Sequence, residues 1–270
     1  MDLIQILFLI SFALGVVHLT VISITLYLHR SLTHGSIVYS PFMRFLFQFW
    51  LWFACGISAD GRRQWVAVHR WHHAETDKED DPHNPKQKGP LKLFLLAFFY
   101  YRKSVNEMKW RKMPNKEETL YEHYTAGLPA YNWFDYFTDS TGPFGGIIFS
   151  LILYTILFGW FGFAIWLAQT LWMPVVAGGV INVLGHTVGH QPENTGDSSR
   201  SLAPRKKNIF SWMLVALLSF ADGGEHLHNP HHNRAGSPRF GKGDGLNFDI
   251  GFMYIRLLRR FGGVSSMNAI

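Results

Sequence analysis

Two uncharged apolar runs limit the fold of this chain more than any other feature of its sequence. Residues 3–27 contain no Asp, Glu, Lys or Arg, and as one helix they are long enough to cross a hydrocarbon core of roughly 30 Å. Residues 144–184 are also uncharged and have about twice the length of one crossing. We therefore predict a helical hairpin that turns near 160–162, with spans at about 144–162 and 165–185.

Three further apolar segments are too short or too impure to cross a bilayer. Segment 41–58 is interrupted by Arg44 and Gln48, while segments 91–101 and 209–221 are shorter than one crossing requires. We predict that these three segments form interfacial or re-entrant helices. The expected fold is an all-α integral membrane protein with three to four transmembrane helices plus interfacial helices.

Basic residues set the predicted orientation of these helices. No Lys or Arg precedes the first run and Arg30 follows it, so the positive-inside bias places the N-terminus outside and the next polar segment in the cytoplasm. The first run has no cationic region before it and no small-residue cleavage site after it, so we expect a retained membrane anchor. Segment 60–118 and the loop that contains Lys206 and Lys207 form the predicted cytoplasmic helical cap of a multi-pass protein.

Four groups of histidines fall on this cytoplasmic side. Helical offsets of three and four residues place the histidines of segment 69–73 on one face, so that three imidazoles can converge on metal. A zinc site is satisfied by about four ligands, so nine imidazoles require two or more ions and indicate a dinuclear centre. The nine candidate ligands are His29, His34, His69, His72, His73, His186, His228, His231 and His232.

The ligand types favour iron over other metals. Zinc has no redox chemistry, and a hydrolytic two-metal site would normally include bridging carboxylates, whereas these groups offer almost only nitrogen. Nitrogen-rich ligation suits iron that works with oxygen. Carboxylates are expected to bind the outer ring nitrogens, and Glu225, Asp80 and Asp81 are the candidates. Cys55 is the only cysteine, which excludes an intrachain disulfide and thiolate clusters.

The net charge of the chain indicates which classes of partner it can bind. The formal net charge is +6, but no basic stripe accompanies a recognition motif, so we predict no nucleic acid partner. Membrane lipid of negative charge or an anionic thioester substrate fits this charge better. The basic residues of segment 102–112 are expected to lie against lipid phosphates, with the binding of an anionic head group as the alternative.

The four histidine groups together resemble the motifs of the membrane fatty-acid desaturases of the stearoyl-CoA desaturase type, most of all the bacterial acyl-CoA or acyl-lipid delta-9 members. The three histidine boxes of that family, His-Arg with a second His five residues after the first, His-Arg-x-His-His and His-Asn-x-His-His, match segments 29–34, 69–73 and 228–232. The family's Asn-x-x-x-His motif is matched by Asn182 and His186. The resemblance covers nearly the whole chain in order.

This resemblance implies a cofactor and a set of site residues. The nine histidines would hold two iron ions, with Asn182 reaching one of them through water, so that all ten residues are expected in the catalytic and metal site. In a crystal, zinc can take the place of iron. The expected location is the bacterial inner membrane, with the active site on the cytoplasmic face.

The resemblance also implies a reaction and its partners. The expected reaction is the O2-dependent introduction of a cis double bond into a saturated acyl chain, with position delta-9 expected, on acyl-CoA, acyl carrier protein or a phospholipid. No flavin, haem or iron–sulfur motif is visible in the chain, so a separate electron donor of the ferredoxin, rubredoxin or cytochrome b5 type is required.

Two alternative functions remain open at this point. A hydroxylase or an acetylenase on the same scaffold would differ only in where the carbon lies relative to the oxidant. A histidine-rich metal transporter or metal-dependent scaffold belongs to a different class, and would place ligands along the spans near the middle of the bilayer. In this sequence eight of the nine histidines flank the predicted spans and only His186 borders one.

Some other residues carry weaker signals. His18 lies three turns before His29 near the same helical face, and it either lines an acyl channel or bonds a neighbouring helix as a neutral histidine. Pro230 is expected in the first turn of a helix that Asn229 caps, with His228 just outside that helix. Four further histidines are expected to be ordinary solvated or hydrogen-bonded side chains, namely His83, His123, His190 and His226.

Overall fold

The structure is a computed structural model that describes residues 2–204, 206–241 and 247–269, and it is mainly helical. Two π-helical segments, Ile24–Thr33 and Met173–Ile181, continue the first and the ninth α-helix. A short antiparallel pair is formed by β1 (Ile37–Tyr39) and β2 (Val264–Met267). Within the described ranges the α-helices in chain order are α1 (Leu3–Ser23), α2 (Pro41–Cys55), α3 (Ala59–Glu75), α4 (Pro85–Lys88), α5 (Pro90–Leu95), α6 (Ala97–Met108), α7 (Leu120–Thr125), α8 (Trp133–Phe158), α9 (Trp160–Trp172), α10 (Asn182–Thr187), α11 (Ile209–Asp222), α12 (His228–Asn233) and α13 (Ile250–Arg260).

Two of these helical segments are long and apolar enough to cross a membrane. One is Leu3–Thr33, which joins α1 to its π-helical continuation, and the other is α8. Helices α2 and α3 together meet the same test but bend by 92° at a short break, as a broken span or a re-entrant loop would. Helix α11 is apolar but shorter. The predicted fold class, an all-α membrane protein with additional short apolar helices, is confirmed. Three to four transmembrane helices were expected, and within the described residues two segments meet the test, or three if the bent pair is one span. The predicted span at 165–185 is not among them.

Glycines shape the helical hairpin of α8 and α9. Gly142 has a φ of +61°, so α8 changes direction just before its apolar part begins. Gly159 ends α8, one residue before the predicted turn, and α9 returns beside it. A Cβ on Gly162 would lie 1.9 Å from the carbonyl oxygen of Tyr154, so this close contact between the two helices requires glycine. Nearby, the Tyr154 hydroxyl donates to the side-chain oxygen of Gln169 over 2.9 Å.

The C-terminal part of the chain packs against the first helix. Strand β2 pairs with β1 so that Met267 lies opposite Ile37. Ile255 of α13 is fully buried and belongs to the same core cluster as Leu26 and Leu28 of the first π-helical segment. These contacts place the C-terminal segment of the chain beside the first histidine group.

His18 takes the second of its two predicted roles. Its Nδ1 lies 2.8 Å from the carbonyl oxygen of Phe220 in α11, and its Nε2 lies 2.9 Å from the hydroxyl of Tyr254 in α13. Its ring also stacks on the Phe220 ring, with 4.1 Å between the centroids. His18 therefore joins three helices by hydrogen bonds.

Candidate metal centre

The nine predicted histidines meet in two compact groups. Within each group, one nitrogen per ring can be chosen so that the chosen atoms lie within 4.8 Å of one another. The five-histidine group consists of His29, His34, His69, His73 and His231. The four-histidine group consists of His72, His186, His228 and His232. Four segments that are distant in sequence thus supply two adjacent nitrogen-rich sites.

The π-helical segment explains the spacing of the first motif. In an α-helix, five residues correspond to about 1.4 turns, which would turn His34 away from His29. Here the backbone N–H of His34 donates to the carbonyl oxygen of His29 over 3.2 Å, the i to i−5 bond of a π-helix. The two rings lie 4.9 Å apart between centroids. The wider turn therefore directs both side chains into the five-histidine group.

Helix α3 contributes to both groups. His69 and His73 are one turn apart, and their Nε2 atoms lie 3.1 Å from each other in the five-histidine group. His72 points to the other side of this face and joins the four-histidine group, where its ring lies 5.1 Å from that of His186. The prediction that the three imidazoles converge at one place was incomplete, because α3 lies between the two groups and contributes His69 and His73 to one and His72 to the other.

The third motif also serves both groups. The Nε2 of His231 lies 2.9 Å from that of His29 and 3.2 Å from that of His73. The Nε2 of His228 lies 3.0 Å from that of His186. The sequence thus places neighbouring turns of one short helix, α12, against two different sets of histidines.

The predicted cap of α12 was wrong. The helix begins at His228, and the capping position is taken by Leu227, with Pro230 within the first turn as expected. Asn229 instead accepts a hydrogen bond from the backbone N–H of Glu193 over 2.9 Å, and its amide donates back to the Glu193 carbonyl oxygen. Asn229 therefore ties the loop after α10 to the metal-site helix.

Carboxylates hold the outer nitrogens of several rings, as the sequence predicted. The Nδ1 of His29 donates to Glu225 over 2.7 Å, and the Nδ1 of His72 donates to Asp81 over 2.8 Å. Burial opposes the ionisation of Asp81, but the neighbouring His72 and the backbone N–H of His83 hold its pKa well below the usual range. Both carboxylates can therefore fix the ring orientation of a ligand and increase its basicity.

One predicted carboxylate was wrong and two others were missed. Asp80 pairs with Arg111 over 2.5 Å and does not touch a ring of either group. Asp197 binds the Nδ1 of His232 over 3.1 Å, and Asp77 lies 3.8 Å from the Nδ1 of His186. Asp77 lies in the turn after α3 and Asp197 in the loop after α10, and only the packing of this turn and this loop against the histidines could have revealed their contacts.

The state of the rings fits a resident metal. With Nδ1 bound to a carboxylate, the Nε2 atoms of His72 and His232 are buried and have no hydrogen-bond partner among the described residues. Burial lowers the pKa of His228, His231 and His232 far below the usual value, so these rings are neutral at pH 7. Neutral imidazoles with unpaired inward nitrogens are the form that binds metal ions. The donor set therefore fits two ions.

An apolar cavity of about 610 Å³ reaches both groups. His29 and His69 of the five-histidine group and His228 of the four-histidine group line it, together with Asn182. Most of the remaining lining is apolar and comes from α1, α3, α6 and the hairpin, including residues such as Val21. This size falls within the range of cavities that bind small ligands.

The histidines that were expected to be ordinary lie outside both groups. His226 binds Asp222 over 3.0 Å in a buried pair, and His123 binds Glu118 over 3.0 Å. The backbone of His190 pairs with that of Ser201. His83 is closer to the site than expected from sequence, because it lines the cavity and its ring lies 5.6 Å from that of His72.

Comparison with known proteins identifies desaturases as relatives of this chain. An acyl-CoA 5-desaturase of Anemone leveillei is 28% identical over 242 residues, which cover 88% of this chain and 64% of that protein. An icosanoyl-CoA 5-desaturase of Limnanthes douglasii is 28% identical over 265 residues, or 94% of this chain and 62% of that protein. A delta-9 acyl-lipid desaturase of Arabidopsis thaliana is 28% identical over 244 residues, which cover 89% of this chain and 69% of that protein. The chain thus spans less than two thirds of the length of the first two relatives.

The family assignment rests on a longer match. The family model for fatty acid desaturases matches residues 4–240, a range that includes all nine clustered histidines and Asn182. Because this match covers most of the chain and includes both histidine groups, the chain belongs to the fatty acid desaturase family.

Proposed function

We propose that this chain is an O2-dependent diiron desaturase that introduces a cis double bond into a saturated acyl chain. The observation that carries the proposal is the apolar cavity that histidines of both groups line. In the balanced reaction, two neighbouring methylene groups each lose one hydrogen, a donor supplies two electrons, two protons are taken up from solution, and O2 is reduced to two molecules of water. The reaction therefore needs a dry apolar channel beside a redox-active metal centre.

The protein's part in this reaction begins with the channel. Val21, Ile24 and Val68 are lining residues that a methylene chain can contact without losing hydrogen bonds. His29 and His69 also line this cavity. An acyl chain inside the cavity would therefore have some of its carbons next to the five-histidine group. The carbon that reacts is thus selected by the depth to which the acyl chain enters.

The ten proposed site residues have two roles: nine histidines would be metal ligands, and Asn182 would lie next to a coordination position that stays open. The nine histidines would hold two irons, which supply the one-electron redox chemistry that O2 requires. Glu225, Asp81 and Asp197 would balance part of the charge of the ions and keep the rings oriented. Asn182 lies one helical turn before His186 and lines the cavity. Because an amide is a poorer ligand than imidazole, we propose that Asn182 binds through water and leaves a coordination position open to exchange.

The substrate, donor and location complete the proposal. The names of the relatives include acyl-CoA and acyl-lipid substrates, and positions 5 and 9. For this chain we propose a fatty acyl substrate with position 9 as the predicted site. Electrons would come from a separate donor protein of the ferredoxin, rubredoxin or cytochrome b5 type. The centre would lie at the cytoplasmic face of a multi-pass membrane protein.

Product analysis tests this proposal directly. The chain is expressed in cells fed with deuterium-labelled saturated fatty acids, and the labelled lipids are analysed by gas chromatography and mass spectrometry. We expect a labelled monounsaturated product that disappears when O2 is withheld, with its double-bond position read from fragmentation of a derivative. A labelled hydroxy acid in its place would identify a hydroxylase, and a folded, iron-loaded protein that yields neither product would contradict the proposal.

A further inference from the structure

A cluster of arginines lies on the surface of the molecule beside α13. Four arginines line one depression there, together with Phe252 and Met267, and the lining that the structure describes contains no carboxylate. The guanidinium group of Arg239 lies 5.6 Å from the centroid of the Phe252 ring. The three arginines of α13 carry like charges that repel each other, and a bound anion would relieve this repulsion. The four residues, named here the arginine cluster, are Arg239, Arg256, Arg259 and Arg260.

An exposed apolar stripe runs along α13 next to the arginine cluster. Met253, Leu257 and Phe261 are 48%, 50% and 78% exposed and follow each other at intervals of four residues, so they lie on one face. The opposite face carries the buried Gly251 and Ile255. A short helix with an apolar face beside several arginines is typical of helices that lie in the plane of a membrane interface.

The helix that carries the stripe packs against an apolar helix next to the proposed membrane span. Helix α11 packs against α1 and exposes Phe210, Met213 and Leu217 by 77%, 63% and 64%. Helix α13 packs against α11, and the hydroxyl of Tyr254 is bonded to His18 of α1. A surface that adjoins a membrane-spanning helix in this way is covered by lipid, which favours a lipid over a soluble partner.

We propose that the arginine cluster binds the phosphate group of an anionic phospholipid while the apolar stripe contacts the acyl chains of the same leaflet. Guanidinium groups bind phosphate oxygens through paired hydrogen bonds. This site is separate from the acyl cavity, because the residues that line the two have no member in common. The inference therefore goes beyond the proposed desaturation and does not depend on it.

A matched pair of triple variants tests this site. In the first, Arg256→Gln, Arg259→Gln and Arg260→Gln remove three charges from the arginine cluster. In the second, Lys86→Gln, Lys116→Gln and Lys206→Gln remove three charges from other exposed regions, outside segment 102–112. Each full-length protein is purified in detergent and titrated with phosphatidylglycerol, and bound lipid is counted by native mass spectrometry. We expect binding to weaken about tenfold or more in the first variant, as the attraction of each basic residue to anionic lipid implies, and to change little in the second.

Further arms of the experiment separate the possible explanations. Phosphatidylcholine in place of phosphatidylglycerol should bind weakly to every form, and excess inorganic phosphate should not displace bound lipid. A variant with lysine at all three arginine positions should recover part of the binding, which shows that charge is required and that the fold is intact. Equal losses in the two glutamine variants, or unchanged binding in the first, would overturn the proposal. Displacement by inorganic phosphate would also overturn it, because the site would then bind the free ion.

Discussion

Two adjacent aspartates provide a sharp test of the proposed metal centre. Asp81 is 1% exposed, and its carboxylate binds the Nδ1 of His72 over 2.8 Å. The carboxylate also accepts hydrogen bonds from the backbone N–H of His83 over 2.8 Å and from that of Asp77 over 2.9 Å. Asp80, one residue earlier, is paired with Arg111 at the surface. The substitutions Asp81→Asn and Asp80→Asn are therefore chemically identical but act on different surroundings.

The expected size of the effect follows from these contacts. Asparagine at position 81 has one acceptor oxygen for three donors, and as a neutral group it no longer supports the charge on a metal-bound His72. Loss of such an outer carboxylate typically weakens metal binding about 10- to 100-fold, which corresponds to about 1.4 to 2.7 kcal/mol. The Asp80 side chain is 44% exposed. Breaking its pair with Arg111 should cost at most about 1 kcal/mol of folding stability.

The assay measures iron content and not activity alone. Purified native protein and both variants are dialysed against iron(II) buffered by a chelator of known affinity, and iron per protein is measured by elemental analysis. We expect Asp81→Asn to need a free iron concentration about 10- to 100-fold higher than the native protein before its four-histidine site fills. Asp80→Asn should follow the native curve.

Two results would refute this reasoning. If the iron-binding curves of Asp81→Asn and the native protein coincide, Asp81 does not support a metal ligand. If both variants lose iron equally, the effect comes from the acidic turn as a whole and not from the bond to His72. Circular dichroism on the same samples separates a loss of fold from a loss of metal.

Three further predictions concern single positions of the site. His73→Ala should abolish unsaturated product while leaving the amount of membrane-inserted protein unchanged, whereas His190→Ala should keep activity; product analysis beside immunoblotting checks both. Gly185→Ala should lower the iron content, because its Cβ would lie 2.6 Å from the ring of His228; full iron content would contradict the observed close packing. Asn182→His should keep both irons but lose most turnover, and Asn182→Ala should lose less; full activity of the histidine variant would exclude the proposed open position.

The grouping of the nine histidines could be predicted from sequence for a physical reason. A metal-ligand motif combines residue type with a helical offset, so it reports on short-range geometry and on chemistry at once. His69 and His73 illustrate this, since their spacing of one turn brings their Nε2 atoms to 3.1 Å. The division of the nine histidines between two groups could not be predicted. It depends on the position of α3 relative to α10 and α12, which the offsets do not determine.

The sequence patterns did not predict contacts between segments that are distant in the chain. Asp197 was missed because its contact with His232 depends on the path of an irregular loop. Asn229 has the residue type of a helix cap, but tertiary contacts with Glu193 determine its role. The link between His18 and Tyr254 joins residues 236 positions apart. In each case the local preference allows several partners, and the packed structure selects one.

The arginines of the first two motifs show how the fold keeps the distant histidines together. Arg70, next to His69, donates to the carbonyl oxygens of Leu32 and Thr33 over 2.8 Å each, so the second motif is bonded directly to the end of the first. Since these bonds join two backbone segments that carry clustered histidines, they restrict the motion of one segment relative to the other.

Arg30 makes the corresponding link from the first motif to the third. Its fully buried guanidinium group binds Asp249 over 2.9 Å and lies 3.7 Å from the centroid of the Phe240 ring, which in turn lies 4.3 Å from the ring of His231. A buried charge of this kind is tolerated only when it is paired, so the segment that carries Asp249 must dock before the centre is complete. The arginine beside His29 thereby makes the assembly of the five-histidine group depend on the docking of α13, which Asp249 caps.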